Sequence, residues 1–199
     1  MLRRRELVAA LRRAQLVPFR GTLVRAVHAG TLFGFRGGAL YQARPLYDLG
    51  PPRSGARFTP RGGAPALYLA EDAETSLREL LQVGASAALK PTAAQKAIVL
   101  FTAEVRLEAV LDLTSDAIVA EIGTTRAELA SPWRHRRDRK TPPTHLLGRA
   151  VADVGHIQAI RFSSTKAAGA CILILTQTVV APSFVRVSDP DAKLVESIP

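Results

Sequence analysis

Three polar side chains of different chemistry lie at an even interval in the segment GARFTPRGGAPALYLAEDAETSLRELL, residues 55–81. Arg57, Tyr68 and Glu79 are each separated from the next by 11 positions. An arginine binds anions through a planar fork of N–H donors, a tyrosine offers a ring face and a hydroxyl, and a carboxylate stabilises positive charge. The sequence therefore leaves two alternatives open: the three side chains lie on an ordinary surface, or they converge on one ligand.

The first of the elements that position these residues is a short strand. A Gly- and Pro-rich turn separates Arg57 from residues 66–70 (ALYLA), which alternate in hydrophobicity. Successive side chains of a strand point to opposite faces. This places Tyr68 on the face away from Leu67 and Leu69.

A helix is predicted directly after this strand, over residues 73–83. Asp72 precedes it and is a suitable N-cap, since its side chain can accept from an N–H of the first turn. At about 100° per residue, Glu79 falls nearly opposite the centre of an apolar stripe. The stripe consists of Leu77, Leu80 and Leu81. By itself this geometry permits convergence of the three polar residues without requiring it.

The rest of the chain mixes helices and strands. We predict further helices over residues 3–16, two short ones within 113–130, and one over 144–154, and strands over 22–28, 98–110, 157–163 and 170–180. The tail from Ser188 is expected to form a short terminal helix. Because strands and helices do not alternate regularly, the pattern favours an α+β fold over a doubly wound sheet. At 199 residues, we expect one domain spanning 1–199.

The chain is basic, with 27 Lys and Arg against 17 Asp and Glu and a net charge of +10. This balance favours polyanionic partners, although a GC-rich genome would enrich arginine without any functional cause. Five of the cations (Arg134, Arg136, Arg137, Arg139 and Lys140) lie in one loop beside Trp133. A nucleic-acid-binding module without catalysis is therefore one alternative. A solvated loop with Trp133 folded into the core is favoured, because one aromatic residue does not make a stacking platform.

Several function classes lack their sequence signatures. The chain has no GxxxxGK[ST] loop, no GxGxxG after a strand and no GxSxG elbow. The four histidines show no metal-ligand spacing, so no metal site is expected. The single cysteine, Cys171, cannot form a disulfide within the chain, and no run reaches the roughly 20 apolar residues of a membrane span. We therefore expect a soluble cytoplasmic protein without a membrane partner.

Four ordered segments resemble those of a known family. They are LVRAVHAG with Arg25, SGARFTPRG with Arg57, ALYLAEDAETSLRELL with Tyr68 and Glu79, and IQAIRFSSTKAAGACILIL with Ser164. Supporting context comes from SPWR at 131–134 and TPPTHLLGRAVADVGHIQAIRFSS at 141–164. Over residues 17–180 this ordered set resembles the RES-domain family, named for Arg, Glu and Ser.

This resemblance implies a fold and an activity. The fold would be a split mixed or antiparallel sheet with flanking helices, similar to diphtheria-toxin-type ADP-ribosyltransferases. Family members are toxins of bacterial toxin–antitoxin pairs that destroy NAD+ by hydrolysis or phosphorolysis, while some relatives ADP-ribosylate a protein. NAD+ would then be a substrate, with inorganic phosphate as a second one in phosphorolysis, and no prosthetic group is expected. The usual partner is a helix-turn-helix (Xre-type) antitoxin, in a larger hetero-oligomer in some systems, and DNA would be contacted only through it.

The resemblance also implies roles for residues on the phosphate and base side of the substrate. Arg25 and Arg57 would hold the pyrophosphate with their guanidinium forks, and Tyr68 would stack on the nicotinamide. Arg20 is an alternative to Arg25 as the first arginine. Many members carry Gly-Gly-Arg-Trp-Asn where this chain reads GARFT at 55–59.

Other roles concern the ribose. Cleavage of the nicotinamide–ribose bond builds positive charge on the sugar, and Glu79 would stabilise that charge. Ser164 would hydrogen-bond the substrate near the reacting centre, with Ser163 as the alternative if the match is displaced by one residue. Lys166 would contribute a cation where many members have arginine. These roles require the face of the helix that carries Glu79 to line a cleft rather than bulk solvent.

Overall fold

The structure is a computed structural model that describes residues 2–33, 35–36, 39–40, 43–82, 97–134, 141–189, 191 and 194–199. The helices are α1 (Arg4–Leu11), α2 (Ala29–Phe33), α3 (Gly50–Ser54), α4 (Ala73–Leu81), α5 (Asp116–Glu121), α6 (Arg126–Ala130) and α7 (Pro143–Val154). The strands are β1 (Val17–His28), β2 (Phe35–Arg36), β3 (Ala39–Leu40), β4 (Ala66–Ala70), β5 (Ile98–Asp112), β6 (Ala159–Ser163), β7 (Ala170–Leu175), β8 (Phe184–Asp189) and β9 (Leu194–Ile198). This mixture confirms the predicted α+β class. None of the helices described is long and apolar enough to cross a membrane.

Seven strands form one sheet in the order β1–β4–β7–β6–β5–β8–β9, while β2 and β3 pair separately. All pairings in the large sheet are antiparallel except that of β5 with β6. Strand β1 also pairs with β5, from Val17↔Val110 to His28↔Ile98, and touches β4 only at Val24↔Ala70. Strands β1, β4, β7, β6 and β5 therefore form a closed circuit, which is joined between β1 and β4 by a single residue pair.

The two faces of strands β4, β6 and β7 contribute to two hydrophobic clusters. Leu67 and Leu69 of β4 belong to a cluster with β1, β5, β8 and β9. Tyr68 packs on the opposite face, in a cluster with α1, α5, α6 and α7. The alternation predicted for residues 66–70 is confirmed. Both faces are covered, so Tyr68 is half-buried although it points away from its leucine neighbours.

Helix α4 begins where the sequence predicts, with Asp72 as its N-cap: the Asp72 side chain accepts the N–H of Thr75. The apolar stripe is not the most buried face of this helix. The buried residues are Thr75, Ser76 and Arg78, and the leucine stripe is only half-buried. Tertiary hydrogen bonding explains this, because the Ser76 hydroxyl bonds to the backbone of β1, accepting from Ala26 at 2.8 Å.

Other differences lie near the two ends of the chain. The first helix covers Arg4–Leu11 instead of 3–16, and β1 begins at Val17 instead of residue 22, because its early residues pair with β5. The predicted terminal helix after Ser188 is wrong. Residues Leu194–Ile198 instead form β9, which pairs with β8 from Val185↔Ile198 to Asp189↔Leu194. That partner strand cannot be seen in the local sequence pattern.

Candidate active site

A cleft of about 260 Å³ opens where β1, β4, β6, β7 and α4 meet. Its lining includes four residues that the sequence singled out: Arg25, Arg57, Tyr68 and Glu79. Residues of the turn, strand and helix in 55–81 thus reach a single cavity. Glu79 is half-buried in this cleft and does not face bulk solvent.

The carboxylate of Glu79 is held by a residue distant in sequence. The hydroxyl of Ser164, directly after β6, donates to Oε1 of Glu79 at 2.5 Å. The same hydroxyl oxygen accepts the backbone N–H groups of Lys166 at 2.9 Å and Ala167 at 3.1 Å. A serine hydroxyl has one proton and two lone pairs. These three hydrogen bonds use all of them, so Ser164 orients Glu79 and has no bonding capacity left for another group.

Arg57 lies in a tight turn formed by residues 56–59. The turn is closed by two backbone hydrogen bonds, Ala56 N–H to Thr59 O at 2.7 Å and Thr59 N–H to Ala56 O at 3.2 Å. The Arg57 guanidinium donates to the backbone oxygen of Leu129 at 3.1 Å and to the hydroxyl of Thr165. The turn therefore presents Arg57 to the cleft while two contacts fix its direction.

The turn depends on close contact with α7. A Cβ atom at Gly148 would lie 1.7 Å from the backbone oxygen of Phe58, so only glycine allows the helix to approach this closely. Phe58 is itself buried and packs edge-to-face on Phe162, with ring centroids 4.7 Å apart. His145, also on α7, bonds through Nε2 to the backbone oxygen of Ala56 at 3.0 Å. Helix α7 thus supports the turn from behind.

Tyr68 contributes its ring to the cleft, and its hydroxyl points into the protein. The hydroxyl accepts the N–H of Phe58 at 3.1 Å and shares a hydrogen bond with Thr59 Oγ1 at 3.0 Å. Burial raises the pKa of Tyr68 well above its usual value. These hydrogen bonds and the charge of Arg57 act in the opposite direction, but their effect is smaller. The phenol therefore stays neutral and is poorly suited to act as a base.

Arg25 lines the cleft from β1, but its guanidinium is engaged in internal contacts. It donates to the backbone oxygens of Pro45 and Tyr47, the latter at 2.9 Å. Burial lowers the pKa of Arg25 to about 10, although Glu196 and Asp48 act in the opposite direction. The alternative, Arg20, is exposed, does not line the cleft, and lies 3.7 Å from Glu108. Of the two arginines, Arg25 is the one at the cleft.

The remaining predicted residues lie next to the cleft. Both serines line a smaller cavity of about 150 Å³ that Arg57 also borders, and neither is part of the cleft lining. Ser163 is exposed, whereas the Ser164 hydroxyl bonds to Glu79, so Ser164 is the serine that contacts the site. Lys166 provides its backbone N–H to Ser164, and its side chain is not part of the cleft lining.

Sequence reasoning missed several residues that shape the site. Thr165 holds Arg57, and Trp133 and Arg134 line the cleft. The SPWR segment was a signal for Trp133, but nothing in the sequence pairs Thr165 with an arginine 108 positions away. The basic residues 135–140 of the same loop lie outside the described residues.

The cleft lining carries more positive than negative charge: it includes three arginines, Arg25, Arg57 and Arg134, and one carboxylate, Glu79. Cys171 lies there too, and burial, followed by the nearby Glu79 charge, raises the pKa of its thiol to about 12. The thiol is therefore protonated near neutral pH and is not a nucleophile. Within the described part of the chain, no three His, Cys, Asp or Glu side chains are grouped so as to hold a metal ion. The arrangement is suited to binding an anionic ligand and to stabilising a cation beside Glu79.

Comparison with known proteins identifies the family and the fold. No curated protein is a significant match. Among solved structures, a chain from the crystal structure of the M. tuberculosis MbcT–MbcA toxin–antitoxin complex is similar, with a TM-score of 0.66 and 21% sequence identity over 94% of each chain. At this identity the likeness shows a shared fold. The family model of the RES domain matches residues 24–195, and the chain belongs to the RES-domain family.

Proposed function

We propose that this protein is a toxin that consumes NAD+ by cleaving its nicotinamide–ribose bond. The observation that carries the proposal is the Glu79 carboxylate, fixed by Ser164 at 2.5 Å inside a cleft lined by arginines. Membership of the RES family and likeness to a toxin–antitoxin structure support the toxin role. We further propose that the fold is of the diphtheria-toxin ADP-ribosyltransferase type, and that the protein acts in the cytoplasm, where NAD+ is available.

The proposed reaction breaks one bond and forms another at the same carbon. As the bond from ribose C1′ to the nicotinamide nitrogen breaks, its electron pair leaves with nicotinamide, which departs as a neutral base and needs no general acid. Positive charge develops on the ribose, as in other glycosidic cleavages. The fixed carboxylate of Glu79 stabilises that charge, because a preorganised group does not have to reorient during the reaction. Water or inorganic phosphate then bonds to C1′, and in the case of water a proton is released.

Neighbouring residues would hold the substrate for this step. The Tyr68 ring forms part of the cleft wall and offers a surface for the nicotinamide, while its hydroxyl is held by Phe58 and Thr59. Arg57 would attract the pyrophosphate electrostatically from its fixed position. Ser164 acts through Glu79 as a positioning residue, since its hydrogen-bonding capacity is already used.

The partner that we propose is an antitoxin of the helix-turn-helix type that covers the cleft. The similar structure is that of a toxin–antitoxin complex, which supports a protein partner of this kind. DNA would be contacted only through that partner.

NAD+ depletion by the purified protein, with and without phosphate, tests the proposal. Glu79→Gln and Arg57→Ala should abolish NAD+ loss while circular dichroism and melting temperature stay close to those of the wild type. Glu121→Gln, at an exposed carboxylate on α5, is the matched control and should retain activity. Unchanged turnover in both cleft variants would refute the site. Label from NAD+ that ends on protein, instead of in free ADP-ribose or its phosphate, would assign the alternative activity of a mono-ADP-ribosyltransferase.

A further inference from the structure

Three arginines line the cleft, and the hydrogen bonds of two of them are directed at the protein itself. Arg25 donates to the backbone oxygens of Pro45 and Tyr47, and Arg57 donates to Leu129 O and to Thr165. The third is Arg134, which is exposed at the edge of the cleft. Among the residues that the structure describes, Arg134 makes no hydrogen bond or ion pair. Its N–H donors are thus the ones available to an incoming anion.

Arg134 is nevertheless not a loose surface side chain. Its guanidinium carbon lies 4.3 Å from the centroid of the Trp133 ring, within the range of a cation–π contact. Trp133 itself packs beside the turn that carries Arg57, since a Cβ atom at Gly55 would lie 3.7 Å from the indole. A guanidinium stacked on an aromatic face keeps the N–H groups along its edge free. Trp133 therefore holds Arg134 over the cleft with its bidentate edge accessible.

Arg25, by contrast, supports the loop that it contacts. Two carboxylates hold the same loop: Glu196 accepts the N–H of Leu46 at 2.7 Å, and Asp48 accepts the hydroxyl of Thr176 at 2.6 Å. Redirecting Arg25 toward a ligand would leave the Pro45 and Tyr47 oxygens without this donor. Leaving such groups unpaired in a buried site is unfavourable.

We infer that Arg134, stacked on Trp133, binds the pyrophosphate of the dinucleotide, and that Arg25 stabilises the loop that forms one wall of the cleft. This inference rests on the proposed function, because it names the phosphate-binding residue of the same site. Pyrophosphate oxygens match the fork of an arginine better than the point charge of a lysine. Arg134 is thus a binding residue that discriminates substrates with phosphates from those without.

The test compares Arg134→Ala and Arg134→Lys with the wild type on two substrates, NAD+ and nicotinamide riboside, which lacks both phosphates. For Arg134→Ala, KM for NAD+ should rise about 10- to 100-fold, the effect of losing one or two charge-assisted hydrogen bonds, with kcat changed little. KM for nicotinamide riboside should not change. Arg134→Lys should recover part of the loss. The control is Arg53→Ala, which removes another exposed arginine near an aromatic ring, 6.0 Å from that of Tyr47 and outside the cleft.

Binding of ADP-ribose provides a readout that does not depend on turnover. Trp133 is the single tryptophan of the chain, so its fluorescence reports ligand binding at this position. The wild type should bind ADP-ribose, and Arg134→Ala should weaken binding by the same factor as KM. Equal binding by both proteins, or no binding by the wild type, would overturn the inference. If ADP-ribose binds through Arg134 but NAD+ is never consumed, the proposed function fails while Arg134 keeps its role.

Discussion

Ser164→Ala removes the group that fixes the carboxylate of Glu79. The variant loses the 2.5 Å hydrogen bond to Oε1 and leaves the N–H groups of Lys166 and Ala167 without their acceptor. Two separable effects follow. The carboxylate gains freedom to turn away from the ribose, which lowers the rate, and the turn after β6 loses part of its support, which lowers stability.

The size of each effect can be worked from these contacts. A hydrogen bond to a charged group contributes about 1.5–3 kcal/mol. If the whole of this energy stabilises the transition state, its loss should lower kcat about 10- to 150-fold, because each 1.36 kcal/mol of activation free energy corresponds to a factor of ten. The site is half-buried, so water can replace Ser164 at the two N–H groups. We therefore expect the free energy of unfolding to fall by only about 1–2 kcal/mol. For a chain of this size that lowers the melting temperature by about 2–8 °C.

The assay is NAD+ consumption at several substrate concentrations, so that kcat and KM are separated. The fall should appear in kcat, because the hydroxyl of Ser164 has no capacity left to bind substrate. Ser163→Ala, one residue earlier and exposed, should stay within about twofold of the wild type. A Ser164→Ala protein with a lowered melting temperature and unchanged kcat would show that the contact is only structural. A rise in KM alone would show that Ser164 touches the substrate.

Two further predictions concern the support of the Arg57 turn. Gly148→Ala places a methyl group 1.7 Å from the backbone oxygen of Phe58, and such overpacking should destabilise the protein by about 1–3 kcal/mol or more and reduce NAD+ turnover by displacing the turn. The pKa of His145 is lowered by burial, with Arg149 acting in the same direction and the bond to Ala56 opposing it. The unfolded chain, with a His pKa of about 6.5, therefore binds the proton more readily, so stability is full above that pH and falls as pH decreases below it.

Thermal and denaturant unfolding measure both effects, and each variant has a control. Gly30→Ala, on α2, adds a methyl group with no atom within 4 Å outside its own helix backbone and chain neighbours, so it should not lower the melting temperature. His145→Gln should show a smaller loss of stability between pH 7.5 and 5.5 than the wild type, whereas His156→Gln, at an exposed position, should not. Equal pH dependence in wild type and His145→Gln would contradict the assigned role of His145.

Local periodicity predicted the parts of the fold in which neighbours in sequence decide the structure. The alternation in residues 66–70 placed Tyr68 correctly, and Asp72 caps α4 as expected. The leucine stripe of α4 does not mark its buried face because the helix contacts β1 through Ser76, whose hydroxyl bonds to backbone atoms 50 and 52 positions earlier in the chain. Apolar periodicity indicates the buried face only when apolar contacts decide the packing.

For the candidate site, the sequence predicted which residues of segment 55–81 meet but not all the contacts that hold them. Residues Arg57, Tyr68 and Glu79 belong to one continuous segment, and the structure brings all three to the cleft. The contacts that hold Glu79 and Arg57 come from distant positions: Ser164 lies 85 residues after Glu79, and Thr165 lies 108 residues after Arg57. No local pattern identifies such pairs, because they depend on the pairing of β4 with β7 and of β7 with β6.

The equal spacing of Arg57, Tyr68 and Glu79 has no structural period behind it. The first 11 positions comprise a closed turn and part of a strand, and the second 11 comprise the rest of that strand and most of a helix. A strand advances about 3.3 Å per residue and a helix 1.5 Å, so equal counts span different distances. Convergence arises instead because two adjacent residues, Ser164 and Thr165, bond to Glu79 and Arg57 respectively. The turn after β6 thus sets the separation between the carboxylate and the guanidinium, which makes its geometry, and not the spacing in the sequence, the determinant of the site.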